Sequence, residues 1–127
     1  MDTLVKNKTT LVLGASIKTY RYSYMATQML RSFDYPVHAL GLRKGSIGDV
    51  DITLEPDKIN IPDLHTVTLY LNPGRQAPLM DWILSLNPKR IIFNPGTENP
   101  PFMEKCRAAG VEVLEACTLV MLSTKQY

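Results

Sequence analysis

Residues 11–23 of the chain read LVLGASIKTYRYS: an apolar run, a glycine, then a polar and basic turn that leads into a helical pattern. Those residue types suit the holding of an anion. A strand that stops at Gly14 and passes to a helix N-terminus aims free backbone N–H groups and a partial positive charge at one place. The Ser16 hydroxyl, the Arg21 guanidinium and Ser23 add hydrogen bonds and charge where the helix begins. A dinucleotide fingerprint would read G-x-G-x-x-G. Only its first glycine is kept, with Ser16 at the second position and Thr19 at the third. The alternative is a plain strand–helix turn in which Gly14 serves backbone freedom alone.

The end of the second strand decides between ligands. An acidic residue there would bond the free ribose hydroxyls of NAD, and this chain has Arg43-Lys44-Gly45 instead. Two cations favour a phosphorylated ribose, either the 2′-phosphate of NADP or the 3′-phosphate of coenzyme A; the other reading is a solvated basic turn. Two later loops, Asn72-Pro73-Gly74-Arg75 and Asn94-Pro95-Gly96-Thr97-Glu98-Asn99, lie where the far half of such a ligand would run. The side chains of Asn72 and Asn94 suit the amides of a pantetheine arm, and Gly96 admits a ligand close to the backbone. Turns that cap helices are the competing explanation for Pro73 and Pro95, and Arg75 either neutralises the ligand or is solvated.

Catalytic groupings are missing from the pattern. His38 falls inside a strand and His65 beside a loop, neither near a motif-like serine, cysteine or acid, so both are read as structural. Cys117 ends the last strand with nothing beside it to activate a thiolate. No cysteine or histidine spacing matches a metal site.

The elements that must position these loops follow from periodicity and punctuation. Thr10 to Leu13 is the first strand, ending at Gly14. Ser23 caps a helix with Met25, Met29, Leu30 and Phe33 on its apolar face, and Asp34 to Pro36 end it. Val37 to Leu42 is a second strand, and Gly45 to Pro62 an irregular stretch with a brief strand around Ile52. Val67 to Leu71 is a strand, Asn72 to Gly74 its loop, and Ala77 to Leu86 a helix burying Leu79, Trp82, Ile83 and Leu86. Arg90 to Phe93 begins the next unit. Asn99 then caps a helix opened by Pro100 and Pro101, presenting Phe102, Met103, Cys106 and Ala109 and stopped by Gly110. Val111 to Leu114 closes the sheet, and Leu119 to Leu122 forms a final buried turn or short helix. Strands alternating with helices through short loops predict an α/β, Rossmann-like open sheet of about five mostly parallel strands with helices on both faces.

Composition narrows the class. The 127 residues suit one domain, spanning residues 1–127, that buries roughly two-thirds of its unfolded surface. At 45% hydrophobic and 20% charged the chain is an ordinary globular one, which excludes disorder. A net charge of +2 without a basic stripe argues against a nucleic-acid partner, and Lys6 and Lys8 read as a solvated end. No apolar run approaches the ~18 residues that cross a bilayer, and the polar start does not match a signal peptide, so a cytoplasmic protein is expected. Cys106 and Cys117 are expected as free thiols.

GASIKTYRYS, PVHALGLRKGSIG, IIFNPGTEN and VEVLEACT together resemble the small stand-alone CoA-binding domain proteins of bacteria, a likeness that spans nearly the whole chain. These proteins are related in fold to the N-terminal domain of the succinyl-CoA ligase alpha subunit. The resemblance implies that Gly14, Ala15, Ser16 and Arg21 form the phosphate turn and that Arg43 and Lys44 meet the adenosine end. Ile17 stands where the family often has proline, and the ligases' phosphorylated histidine, which lies in a separate domain, has no counterpart here. The likeness therefore implies binding rather than acyl-CoA synthesis. The expectation is a non-catalytic domain holding coenzyme A or an acyl-CoA, with Gly14 to Arg21 on the diphosphate and Arg43 with Lys44 on the 3′-phosphate. Its rivals are an NADP-dependent reductase and a ligand-free interaction module that uses the apolar stretch Leu119 to Leu122. Protein partners and oligomeric state stay open.

Overall fold

The computed structural model describes residues 8–127, so Lys6 lies outside the described residues. Seven strands form one sheet: β1 (Thr10–Ala15), β2 (Val37–Gly41), β3 (Ser46–Ile47), β4 (Val50–Thr53), β5 (Thr66–Leu69), β6 (Arg90–Phe93) and β7 (Glu112–Glu115). Their order is β3-β4-β2-β1-β5-β6-β7, and every neighbouring pair is parallel except the short β3–β4 hairpin. The expected Rossmann-like sheet is there, with one strand, β3, beyond those anticipated. β4 contains the foreseen Ile52; the two-residue β3 is too short to show a period.

The helices are α1 (Tyr22–Ser32), α2 (Pro73–Gln76), α3 (Met80–Ser85), α4 (Pro100–Ala108) and α5 (Thr118–Ser123). One face of the sheet packs Leu11, Leu13, Val67, Leu69, Ile91 and Phe93 against Ile83 of α3 and Phe102, Met103 and Cys106 of α4. The other packs Val12, Ala15, Ala39 and Ile92 against Leu30 of α1 and Met121 and Leu122 of α5. Successive strand residues should alternate between faces, yet Leu13 and Ala15 lie on opposite ones. The cause is a bulge at Gly14: Leu13 pairs with Leu40 and Ala15 with the next residue, Gly41. Gly14 has φ +93°, and a β-carbon there would stand 2.9 Å from the Tyr70 carbonyl oxygen, so glycine is required. The strand thus runs through Gly14 instead of ending at it.

Three helix expectations need correction. Arg21, extended at φ −77° and ψ 141°, is the N-cap of α1 and makes no side-chain capping bond. Ser23 is instead buried inside the helix, its carbonyl accepting from Thr27 Oγ1 at 2.8 Å. The buried face of α1 is Ser23, Ala26, Thr27 and Leu30, the first three small enough to let the helix lie close to the sheet, while Met25 and Met29 are half-buried and Phe33 is exposed. The foreseen helix from Ala77 to Leu86 is broken into α2, a 3-10 turn over Ala77–Leu79, and α3, because Pro78 has no N–H to continue the ladder.

At the amino edge of the sheet Arg90 is only 6% exposed; its Nε donates to Thr66 Oγ1 at 2.7 Å and its guanidinium lies 4.4 Å over the Tyr127 ring. Lys8 is not simply solvated: its ammonium bonds the Tyr127 main-chain oxygen. His65, bonded through Nδ1 to Thr66 Oγ1, is pushed down to about 4 by burial first and then by Arg90, Lys8 and Lys89. Its unfolded value is about 6.5, so the unfolded chain takes up the proton first and stability falls as pH drops from about 6.5 toward 4. Solvent screening of the part-exposed ring reduces this to about 1 kcal/mol. Urea unfolding at pH 7.5 and 4.5 should show a smaller acid loss for His65→Gln than for the parent; equal losses would refute the assignment.

Candidate functional site

The carboxyl ends of the parallel strands lie together in register, Ala15 beside Gly41, Leu69 beside Leu13, Phe93 beside Leu69 and Glu115 beside Phe93. From β1 the chain goes to β2 on one side and returns to β5 on the other. The strand order therefore reverses at β1, and ligands of such sheets bind in the crevice outside that point. Four loops meet there: 16–21, 42–45, 70–72 and 94–99.

The first two loops are in direct contact. A β-carbon on Gly45 would lie 2.4 Å from Ile17 Cγ2, and one on Gly41 would lie 2.4 Å from the Ala15 carbonyl oxygen. The turn holding Arg43 and Lys44 is thus pressed against the turn that leads to α1. The first N–H groups of α1 have no intrahelical acceptor, no acidic residue stands in its first turn, and Arg21 adds its exposed side chain with its guanidinium 5.7 Å from the Tyr20 ring. Among the described residues no ion pair engages Lys18, Arg21, Arg43 or Lys44. Ser16 Oγ accepts from the Lys18 N–H at 3.1 Å, which tightens the turn and leaves the hydroxyl proton to donate. Around these cations Ile17, Tyr20, Tyr22 and Leu42 keep 47%, 69%, 69% and 73% of their surface in solvent. The sequence reading missed that apolar rim, although Tyr20 and Tyr22 flanking Arg21 could have signalled it.

The other two loops are stiffer. Asn72 is the N-cap of α2, its Oδ1 accepting from the Arg75 N–H at 2.9 Å, so Gly74 lies inside a helical turn and not in a loop. Asn72 and Arg75 are both exposed. Asn94 is only 2% exposed and is committed to the scaffold: its Nδ2 donates to Thr68 Oγ1 at 2.7 Å and to the Leu69 carbonyl at 2.8 Å, and its Oδ1 accepts from the Thr118 N–H at 2.9 Å. Both amide protons are spent within the fold, so this side chain has no N–H to offer a ligand. Gly96, at φ +90°, has open space where a β-carbon would stand, and its N–H is held by Glu98 Oε1 at 2.9 Å. Beneath the loops Tyr70 hides its hydroxyl near Thr68 and Thr118, and burial pushes that group up to about 12, so it stays protonated.

Among the described residues neither cysteine side chain is hydrogen-bonded to a histidine or an acid. Cys106 is buried in the core, where burial pushes its thiol up to about 11. Cys117, part-exposed, precedes α5 at the carboxyl edge. His38 and His65 belong to the amino-terminal part of the sheet, β2's second residue and the residue before β5. Among the described residues no three His, Cys, Asp or Glu side chains gather as metal ligands, and no helix is long and apolar enough to cross a membrane.

Comparison with known proteins agrees with the fold. A crystal structure of an uncharacterized protein is 43% identical, covering 94% of this chain and 98% of its own, with a TM-score of 0.90. A Thermus thermophilus protein is 20% identical over 100% of this chain and 99% of its own, with a TM-score of 0.81. An acetyl-coenzyme A synthetase of Ca. Korarchaeum cryptofilum, solved with phosphate and ADP, is 14% identical; 91% of this chain matches 28% of that one with a TM-score of 0.70, a likeness of fold. No curated protein matches significantly. The sequence profile of the CoA binding domain family matches residues 8–123, nearly all of the described chain, and the protein belongs to that family.

Proposed function

We propose that this chain binds coenzyme A or an acyl-CoA across the switch point between β1 and β5, acting in the cytoplasm as a binding domain without a reaction of its own. The observation that supports the reading is the contact of Ile17 with Gly45, which presses the turn holding Arg43 and Lys44 against the turn that leads to α1, and among the described residues neither cation is in an ion pair. The diphosphate then lies on the free N–H groups of the first turn of α1, on the Ser16 hydroxyl and on Arg21, and the 3′-phosphate on Arg43 and Lys44. Ile17 and Leu42 offer apolar surface to the base. The ligand's arm runs toward Asn72 and over Gly96. Family membership supports the ligand class.

A charge-assisted hydrogen bond contributes about 1.5–3 kcal/mol, roughly ten- to more than a hundredfold in affinity. Calorimetric titration should therefore show CoA binding at least about tenfold tighter than dephospho-CoA, and replacing Arg43 and Lys44 by alanine should erase the difference. Equal affinities in the unaltered protein would refute the 3′-phosphate assignment. Preference for NADP with oxidation of NADPH against carbonyl compounds would turn the reading toward a reductase, and binding of neither nucleotide toward an interaction module.

A further inference from the structure

We infer that Gln76 is a positioning residue for the pantetheine half of the ligand, an inference that rests on the CoA reading. Gln76 is fully buried, an unusual place for a long polar side chain. Its Nε2 donates to the Leu71 carbonyl at 2.7 Å and to the Thr97 carbonyl at 2.8 Å, and its Oε1 accepts from Asn99 Nδ2 at 3.0 Å. One side chain thereby ties the loop after β5 to the loop after β6 and to the cap of α4. Thr97 Oγ1 continues the network by donating to the Asn94 carbonyl at 2.7 Å.

The nucleotide end of the site is held by other means. Residues 16–21 and 42–45 meet through Ile17 and Gly45, and among the described residues no side-chain hydrogen bond joins them to the Gln76 network. The two halves of the crevice therefore have separate supports. A buried amide is retained only when its bonds are made, and these bonds hold two loop backbones at the ligand edge. Loops fixed before binding lose less entropy on binding, which is how a residue that touches no ligand raises affinity.

The test uses two ligands. Adenosine 3′,5′-bisphosphate keeps the nucleotide end and lacks the pantetheine arm, whereas CoA has both. Gln76→Met preserves chain length and removes both donors. Its Kd for CoA should rise about tenfold, while that for the bisphosphate stays within about twofold of the parent value. General loss of structure would weaken both ligands alike, so equal losses overturn the inference, as does no loss. Should the methionine variant fail to fold, Asn99→Asp keeps the oxygen that faces the Phe102 N–H and removes the donor to Gln76; it should show the same selectivity at about threefold. Unaltered protein that binds neither compound removes the CoA reading itself. Unaltered protein that binds both, with a non-selective Gln76→Met, overturns this inference alone.

Discussion

Gly41→Ala is expected to lower stability by about 3 kcal/mol and to weaken ligand binding with it. The new β-carbon would stand 2.4 Å from the Ala15 carbonyl oxygen and 3.0 Å from Ile52 Cγ2. The nearer neighbour is main chain, so relief requires β1 and β2 to part. They would part at the carboxyl ends, where the phosphate turn and the basic turn begin. Overpacking costs about 1–3 kcal/mol, and a clash with fixed backbone belongs at the upper end. For a chain of this size that corresponds to roughly 10 °C in Tm. Thermal melts followed by circular dichroism check the value, and an unchanged midpoint would refute the close approach.

Asn94→Ala should be as damaging, by about 3–5 kcal/mol, since three buried bonds are lost and the Thr118 N–H is left without its acceptor, while Thr68 Oγ1 keeps only its bond to Thr118 Oγ1. The three bonds run to Thr68 Oγ1, the Leu69 carbonyl and the Thr118 N–H. The loss would be seen in ligand-free protein by urea unfolding. A residue whose service was to the ligand would leave that curve unmoved, so the same measurement separates the scaffold role from the binding role first expected of it.

The architecture was legible because strand and helix periods are strong local signals. Leu11 to Leu13, Val67 to Leu69 and Arg90 to Phe93 are fully enclosed runs bounded by turn residues, and Asn99-Pro100-Pro101 announces a helix start. What escaped was whatever depends on a partner distant in sequence. The bulge at Gly14 exists because the Tyr70 carbonyl approaches it. The burial of Gln76 is set by Leu71, Thr97 and Asn99 together, and nothing within its own turn distinguishes it from a solvated glutamine. The basic turn was placed by residue type alone; its contact with the first loop could be seen only once Ile17 and Gly45 met.

Tyr127 sits where the sheet begins, its hydroxyl bonded to Thr10, a residue 117 positions earlier. Closing so long a loop is entropically costly, which favours an order of assembly in which shorter-range strand pairings come first. Interactions missing from the folding transition state slow unfolding while leaving the folding rate nearly unchanged. A clasp formed by Tyr127, Thr10, Lys8 and Arg90 after those pairings would act as a brake on opening, lengthening the lifetime of the folded domain without hastening its arrival.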